Sequence, residues 1–571
     1  MMKKRETTKY IIFFVIFLAV WITLFWKCKF GFPLDESFYI LLCYRFINGD
    51  IPVLHEWSPT QFFAIWLYPF VWAYYKIIGS SEQIILVFRY IFTSIWGISA
   101  LFFFYRLRKI SFWGAAAASL IFMVFVPYGE MALYYNTIGL ISFTSALVII
   151  ITAEKKKNMQ YAVSGFMFAV AVTCCPFLFS LYVMLVLACI VSLMKKQKGL
   201  LHLFCCITAG AIPAIILSYL FYIMPSSLGD VLNGLKYLIA DREHQFTYMD
   251  KFVGFFENII YSSVTILLVV SVVLVALLFA KLKKTKTVNI IGFLAVSLSV
   301  IILEVSYICK VVLSNAMWVS CFAFPPIFVG FYCGMLTKDK LSRKMFLNMY
   351  IPGLIYMFCI NISSNVGLEA SLIPSVICAM ASCFMVSAFM KENVVSLENK
   401  LLNRLGLSAF SLNVLLSLGA GIYVMSCLAF ANGRIAKLNS KIEQGPNKGI
   451  YCTQSVNNAY SKVVKDLEPV KNNDSEKVLL LTGYWYYLDV EKKPTGSSCW
   501  CPYIDDLLLD QYEEYYSLYP QLIPDVIYLD YRYKDLLDRV KAYGYWEEET
   551  SLGSYILYRD SENKITESKD I

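Results

Sequence analysis

The stretch YIIFFVIFLAVWITLFW at residues 10–26, followed by LDESFY at 34–39, decides how this chain is read. The first run is apolar over almost its whole length, and a membrane-spanning helix needs roughly 20 such residues. Lys3, Lys4, Arg5 and Lys9 precede it and no small-residue cleavage site follows. It therefore reads as an uncleaved first span rather than a removed secretory signal. Asp35 and Glu36 come next, between this span and a second apolar stretch at 37–47. Two carboxylates at the membrane edge are costly and tend to be kept for chemistry or transport. The plainer alternative is that Asp35 caps a helix starting at Glu36.

Working outward, composition agrees with the span. The 571 residues are 58% hydrophobic and 16% charged, against about 45–50% and 25% in soluble globular proteins. Apolar runs and basic loops alternate from end to end. After the first span, a second runs near 82–105 and stops at Arg106, Arg108 and Lys109, and a third runs near 112–126. A fourth ends at Lys155–Lys157, and a fifth and sixth pivot at Pro176 and end at Lys195 and Lys196. A seventh reaches about Met224 and opens into a polar stretch at 225–250. Six more end near Lys281–Lys286, Lys310, Thr337, Asn361, Lys391 and Ala431, giving about thirteen. The loops rich in Lys and Arg all fall on one side, which the positive-inside rule makes cytoplasmic. The N-terminus is then cytoplasmic, and the loops holding Asp35, 134–136, 225–250 and 361–365 are extracytoplasmic.

The net charge of +9 thus reports membrane orientation. No basic patch with interleaved aromatics appears, which argues against a nucleic-acid partner. From Ala431 onward the balance reverses, to 17 Lys and Arg against 23 Asp and Glu. That tail reads as a soluble α/β domain at 432–571, set against a transmembrane domain at 1–431. Residues 477–483 and 525–530 read as buried strands, 533–544 as a helix ending in glycine, and 554–558 as a closing strand. The aromatic run 484–487 suits a membrane surface, a sugar face or plain packing. The fold class expected is an all-α polytopic membrane domain with a small extracytoplasmic α/β domain.

Most of the 17 cysteines lie in apolar runs and read as packing residues. Cys499-Trp500-Cys501 is CxC without a histidine cluster, so a structural zinc site is not expected. One disulfide using Cys452 stays open.

The loop between the first two spans concentrates polar chemistry. Residues 37–47 are amphipathic with Arg45 on one side, Asn48-Gly49-Asp50 is a stop, and 60–78 is a second apolar helix holding Pro69. Two helices lying on the membrane surface fit better than further spans, because one more span would invert every later loop. His55, Glu56 and Gln61 lie in this loop, and Arg89 is at the outer mouth of the second span. Tyr135, Asn136, Lys310 and Asn365 stand at outer ends of other spans. A carboxylate reachable from water and from the membrane interface suits a general base acting on a hydroxyl.

This layout resembles the GT-C superfamily of integral membrane glycosyltransferases, and is similar to the protein O-mannosyltransferases and the bacterial lipid A aminoarabinose transferases. Leu34-Asp35-Glu36-Ser-Phe-Tyr39 matches the acidic signature of that superfamily. Residues 55–61 occupy the place of its second loop motif, and Phe88-Arg89-Tyr90 resembles the arginine at the start of its second span. The resemblance implies a sugar donor on a polyprenyl phosphate and a single inverting displacement, with Asp35 as base and Glu36 in support. It also implies that Arg89, with Arg45, holds the phosphate, while His55, Glu56, Gln61, Tyr135, Asn136, Lys310 and Asn365 complete the substrate site. The acceptor would be a protein, a lipid or a polysaccharide. Relatives of the aminoarabinose transferases often carry a lysine before the loop proline, whereas Ser58 precedes Pro59 here. No cofactor is required; Asp35, Glu36 and His55 would make only a weak divalent-metal set. The competing expectations are a flippase or transporter for lipid-linked glycans, a non-catalytic membrane assembly protein, and a polysaccharide polymerase or ligase. A transporter would favour mid-span acids and internal repeats. Glu304 is the main such acid and no repeat is evident.

Overall fold

Each of the thirteen apolar runs forms a helix, because a chain in lipid must satisfy its backbone polar groups internally. The computed structural model describes residues 2–154, 157–196, 199–239, 247, 249–250, 252–254, 264–314, 323–363, 372–394, 399–429, 431–500 and 503–559. Nine helices among these residues are long and apolar enough to cross a membrane. They begin with Thr7–Lys27 and Ile84–Leu107 and end with Lys400–Cys427. Phe112–Val124, Tyr135–Ile151 and Pro326–Leu336 are shorter apolar helices, and Lys157–Cys174 fills the fifth position. The break before the sixth run is real: Pro176–Leu178 forms a 3-10 turn before Phe179–Met194.

The chain divides into two units. Met1–Cys28, Arg89–Ile216 and Arg242–Ala436 make the first; Lys29–Phe88, Leu217–Asp241 and Lys437–Ile571 make the second. Lys29–Phe88, the loop between the first two spans, and Leu217–Asp241 cluster with the tail rather than with the spans.

In the first unit, close approach of small residues packs helices where lipid supplies no hydrophobic drive. A Cβ on Gly165 would stand 2.0 Å from the Ile207 carbonyl oxygen, and one on Gly210 would stand 1.9 Å from that of Ala162. The backbones of Lys157–Cys174 and Gly199–Tyr222 therefore touch. We expect Gly210→Val to push this pair apart at a cost of about 1–3 kcal/mol or more. A lowered unfolding midpoint of the purified protein would show it, and an unchanged midpoint would refute the contact. Elsewhere in this unit the Trp96 ring stacks on Phe122 at 4.2 Å, and its Nε1 donates to the Phe122 carbonyl at 3.1 Å. The mid-span Glu304 is buried and accepts from the Ser417 hydroxyl.

In the second unit, the tail forms a five-stranded sheet. Its order is Lys493–Pro494, Lys477–Leu481, Val526–Leu529, Tyr555–Arg559, Tyr545–Glu549. The first three strands run parallel, and Tyr555–Arg559 is antiparallel to both of its neighbours. Val526–Leu529 is buried along its length, as a strand covered on both faces should be. Leu508, Leu509 and Tyr512 of helix Asp506–Leu518 pack with Leu479, Ile527 and Leu557 to form the core. Asp505 caps that helix by accepting from Leu508 N at 3.0 Å. The expected helix over 533–544 is reduced to a 3-10 turn, Tyr531–Leu536, and a short helix, Leu537–Lys541. Cys452 is free and buried, so the disulfide left open above is not formed through it.

Candidate functional site

The helix after the first span runs from Asp35 to Ile47 with Leu34 in the cap position. Asp35 is thus the first helical residue rather than the cap. Both acids lie in the first turn, where the partial positive charge of the helix end favours carboxylates. Their environments differ: Asp35 is half-buried, whereas Glu36 is 5% exposed. The Tyr484 hydroxyl donates to Asp35 Oδ1 at 3.4 Å. Tyr484 opens the turn Tyr484–Tyr486 that follows the strand Lys477–Leu481. Its ring packs near Phe38, three residues beyond Asp35, at 6.4 Å, and against Trp500 at 5.2 Å.

The loop that follows is folded by its own side chains. Arg45 is fully buried, and each of its nitrogens is engaged. Its Nε donates to Asp50 Oδ2 at 2.6 Å and its Nη1 to Glu56 Oε2 at 2.8 Å. Its Nη1 also lies 3.9 Å from Cys499 Sγ, and its Nη2 donates to the His55 carbonyl at 2.6 Å and to Tyr515 OH at 3.5 Å. Burial works against the guanidinium charge, but Asp50, Cys499 and Glu56 hold its pKa well above the ordinary value. Glu56 accepts further from Ser58 N at 3.1 Å and Cys499 N at 2.9 Å. Lys493 Nζ approaches Asp50 Oδ1 at 3.1 Å.

Gln61 is buried and spans the same loop. Its Nε2 donates to the Glu56 and Ser58 carbonyls at 2.6 and 3.0 Å. Its Oε1 accepts from Val53 N at 2.7 Å. Val53 holds a φ of 70°, a costly conformation for a β-branched residue, and the Gln61 amide helps to fix it. Trp57 stacks on Tyr237 at 4.1 Å. Arg45, Glu56 and Gln61, expected to line a substrate site, are therefore hydrogen-bonded within the loop, and Arg45 and Glu56 also to the C-terminal tail. A phosphate at Arg45 would have to displace a partner it already has.

His55 is buried, and burial first, then the Arg45 and Lys493 charges, lower its pKa to about 4 against the opposing pull of Asp50. Its Nδ1 accepts from Ile51 N at 3.0 Å, so at neutral pH it is a neutral acceptor on that side. Asp489, in the same unit, goes the other way. Burial raises its pKa to about 7, although the Tyr460 hydroxyl donates to it and Lys471 opposes the rise. The consequences for stability have opposite signs. The stability due to neutral His55 is present above its ordinary value of 6.5 and is lost as pH falls toward 4. That due to protonated Asp489 is present below 3.8 and is lost as pH rises toward 7. We expect Asp489→Asn to remove the second loss, raising the unfolding midpoint at pH 8 more than at pH 4. An equal change at both pH values would contradict this.

In the first unit, Arg89 is buried and its Nη1 donates to the Cys28 carbonyl at 2.9 Å. Tyr135 begins the helix Tyr135–Ile151, and its carbonyl accepts from Cys175 Sγ at 3.5 Å. Asn136 is buried, and its Oδ1 has no hydrogen-bond partner among the described residues. Lys310 falls in the helix Lys286–Ser314, but its side chain, like the whole of Asn365, lies outside the described residues. No group of three His, Cys, Asp or Glu side chains among the described residues is placed to hold a metal ion. Sequence reading did not find Tyr484 as a partner of Asp35. The aromatic run 484–487 was its only signal.

No family model matches the chain, and no curated protein matches it. Among solved structures it is similar to the archaeal oligosaccharyltransferase AglB from Archaeoglobus fulgidus, determined in complex with an inhibitory peptide and a dolichol-phosphate. The identity is 12% and the TM-score 0.48, over 98% of this chain and 75% of that one.

Proposed function

We propose that this chain is an integral membrane glycosyltransferase. It moves a sugar from a polyprenyl-phosphate carrier to an acceptor on the extracytoplasmic face, with inversion, using Asp35 as general base. The observation that carries the reading is the divided acidic pair: a half-buried Asp35 and a buried Glu36 on the first turn of a helix directly after the first span. The order of motifs along the sequence supports it.

The step forms one bond, from the acceptor oxygen to the anomeric carbon, and breaks one, from that carbon to the phosphate oxygen. Asp35 takes the acceptor proton, and the polyprenyl phosphate leaves with the bonding electrons. The acceptor attacks from the face opposite the leaving group, which inverts the centre. Glu36, shielded from water, orients the acceptor or its neighbour. Arg89 is the phosphate-binding residue in this scheme, because a guanidinium matches phosphate oxygens with paired charge-assisted hydrogen bonds. Arg45 is not part of it, since its donors are already used. Holding a lipid-borne donor and a water-borne acceptor in line accounts for much of the acceleration, as positioning does in general.

The test is mass spectrometry of cell-surface glycans with and without the protein. Loss of one glycan species, restored by the wild-type chain, is the expected result. An unchanged glycan profile would count against the reading. Movement of a lipid-linked sugar across vesicles by the purified protein, without transfer, would replace it with a flippase.

A further inference from the structure

We infer that Tyr484 is the positioning residue for Asp35: its phenol, brought by the C-terminal domain, fixes the direction of that carboxylate and sets its basicity. The inference rests on Asp35 being the base and goes beyond it, because it makes the soluble domain part of the catalytic apparatus. Tyr484 is 6% exposed. Its ring is held by three aromatic neighbours: Phe38 at 6.4 Å, Trp500 at 5.2 Å and Trp485 at 5.3 Å. Phe38 packs against Trp500 in turn, at 5.3 Å. A ring so confined leaves its hydroxyl little freedom, and the hydroxyl donates to Asp35 Oδ1. Phe38 and Asp35 share one helix, so the packing that orients the tyrosine also anchors the carboxylate.

Among the described residues, Tyr484, from the turn after the strand Lys477–Leu481, donates to Asp35, and Glu36 follows Asp35 on its own helix. Glu36, when ionised, raises the proton affinity of Asp35, as a neighbouring like charge does. The Tyr484 O–H acts oppositely, since a donor to the ionised form stabilises that form. A base must be ionised before it can accept the acceptor proton, and donation by the phenol favours that form. It also turns one carboxylate oxygen, Oδ1, toward the tyrosine.

Tyr484→Phe tests this, because it removes the donor and keeps the ring. The full-length wild-type and variant proteins are purified in detergent. They are treated across a pH series with a water-soluble carbodiimide and glycine methyl ester, which modify protonated carboxyls. Modification at Asp35 is read by fragment mass spectrometry. The midpoint in Tyr484→Phe should rise by roughly 0.5–1 unit, and cells carrying the variant should lose part of the surface glycan. A midpoint equal to wild type would overturn the inference. So would a full glycan level in the variant cells while Asp35→Asn cells have none. An unaltered glycan in Asp35→Asn cells would instead remove the proposed function, with the titration still reporting whether the phenol acts on Asp35.

Discussion

Asp35→Asn should remove sugar transfer, lowering the rate by about 10²–10⁴-fold, the usual contribution of a positioned general base, while the protein reaches the membrane at normal levels. The substitution is nearly isosteric, and its amide oxygen can still accept from Tyr484. What is lost is the place for the acceptor proton. Loss of the charge from the first helical turn costs only about 0.3–1 kcal/mol at such a site, too little to unfold the chain. Activity and abundance should therefore separate: no surface glycan product, with unchanged protein by immunoblot and an unchanged unfolding midpoint. Transfer at the wild-type rate would dismiss the base assignment. A coincident loss of protein would point to a structural role for the carboxylate.

Arg45→Ala should do the reverse. It leaves Asp50 and Glu56 buried without the guanidinium that offsets them, and breaking a buried ion pair from one side costs about 3–5 kcal/mol. Lys493 remains near Asp50, whereas Glu56 keeps the Ser58 and Cys499 backbone N–H donors and loses its cationic partner. The expected result is a markedly lower unfolding midpoint and rapid protease cleavage within residues 48–60. Arg45→Lys should not restore the wild type, because one ammonium cannot reproduce the fork that reaches Asp50, Glu56 and His55 together. Wild-type stability in Arg45→Ala would mean that the network contributes little.

The two residues show what the sequence could and could not disclose. The spans were legible because each rule involved is local: an apolar run, a basic loop, a proline at 176. The start of the helix at Asp35 was legible to within two residues for the same reason. Arg45, Glu56 and Gln61 drew notice as polar residues close to the acidic pair, and proximity in sequence was read as proximity to substrate. Their partners are Asp50, Tyr515, Cys499 and backbone atoms of one short loop, and no local pattern announces that those donors are already used. Tyr484 is the converse case. It lies far from Asp35 in sequence, in a run that any soluble domain could use for packing. The helices Gln454–Asp466 and Asp506–Leu518 also went unread, since amphipathic segments in a charged tail have no membrane signature to set them apart.

The Arg45–Cys499 contact joins residues 454 positions apart, which bears on how the chain is made. At roughly 5–20 residues per second, Arg45, Asp50 and Glu56 leave the ribosome about 20–90 seconds before the segment that closes over them. During that interval the charges must stay hydrated, and the loop between the first two spans cannot yet hold its final shape. The last quarter of the polypeptide thus completes the folding of its first tenth. A chain truncated before Cys499 should insert its spans and still be more readily cleaved by an added protease than the full-length chain.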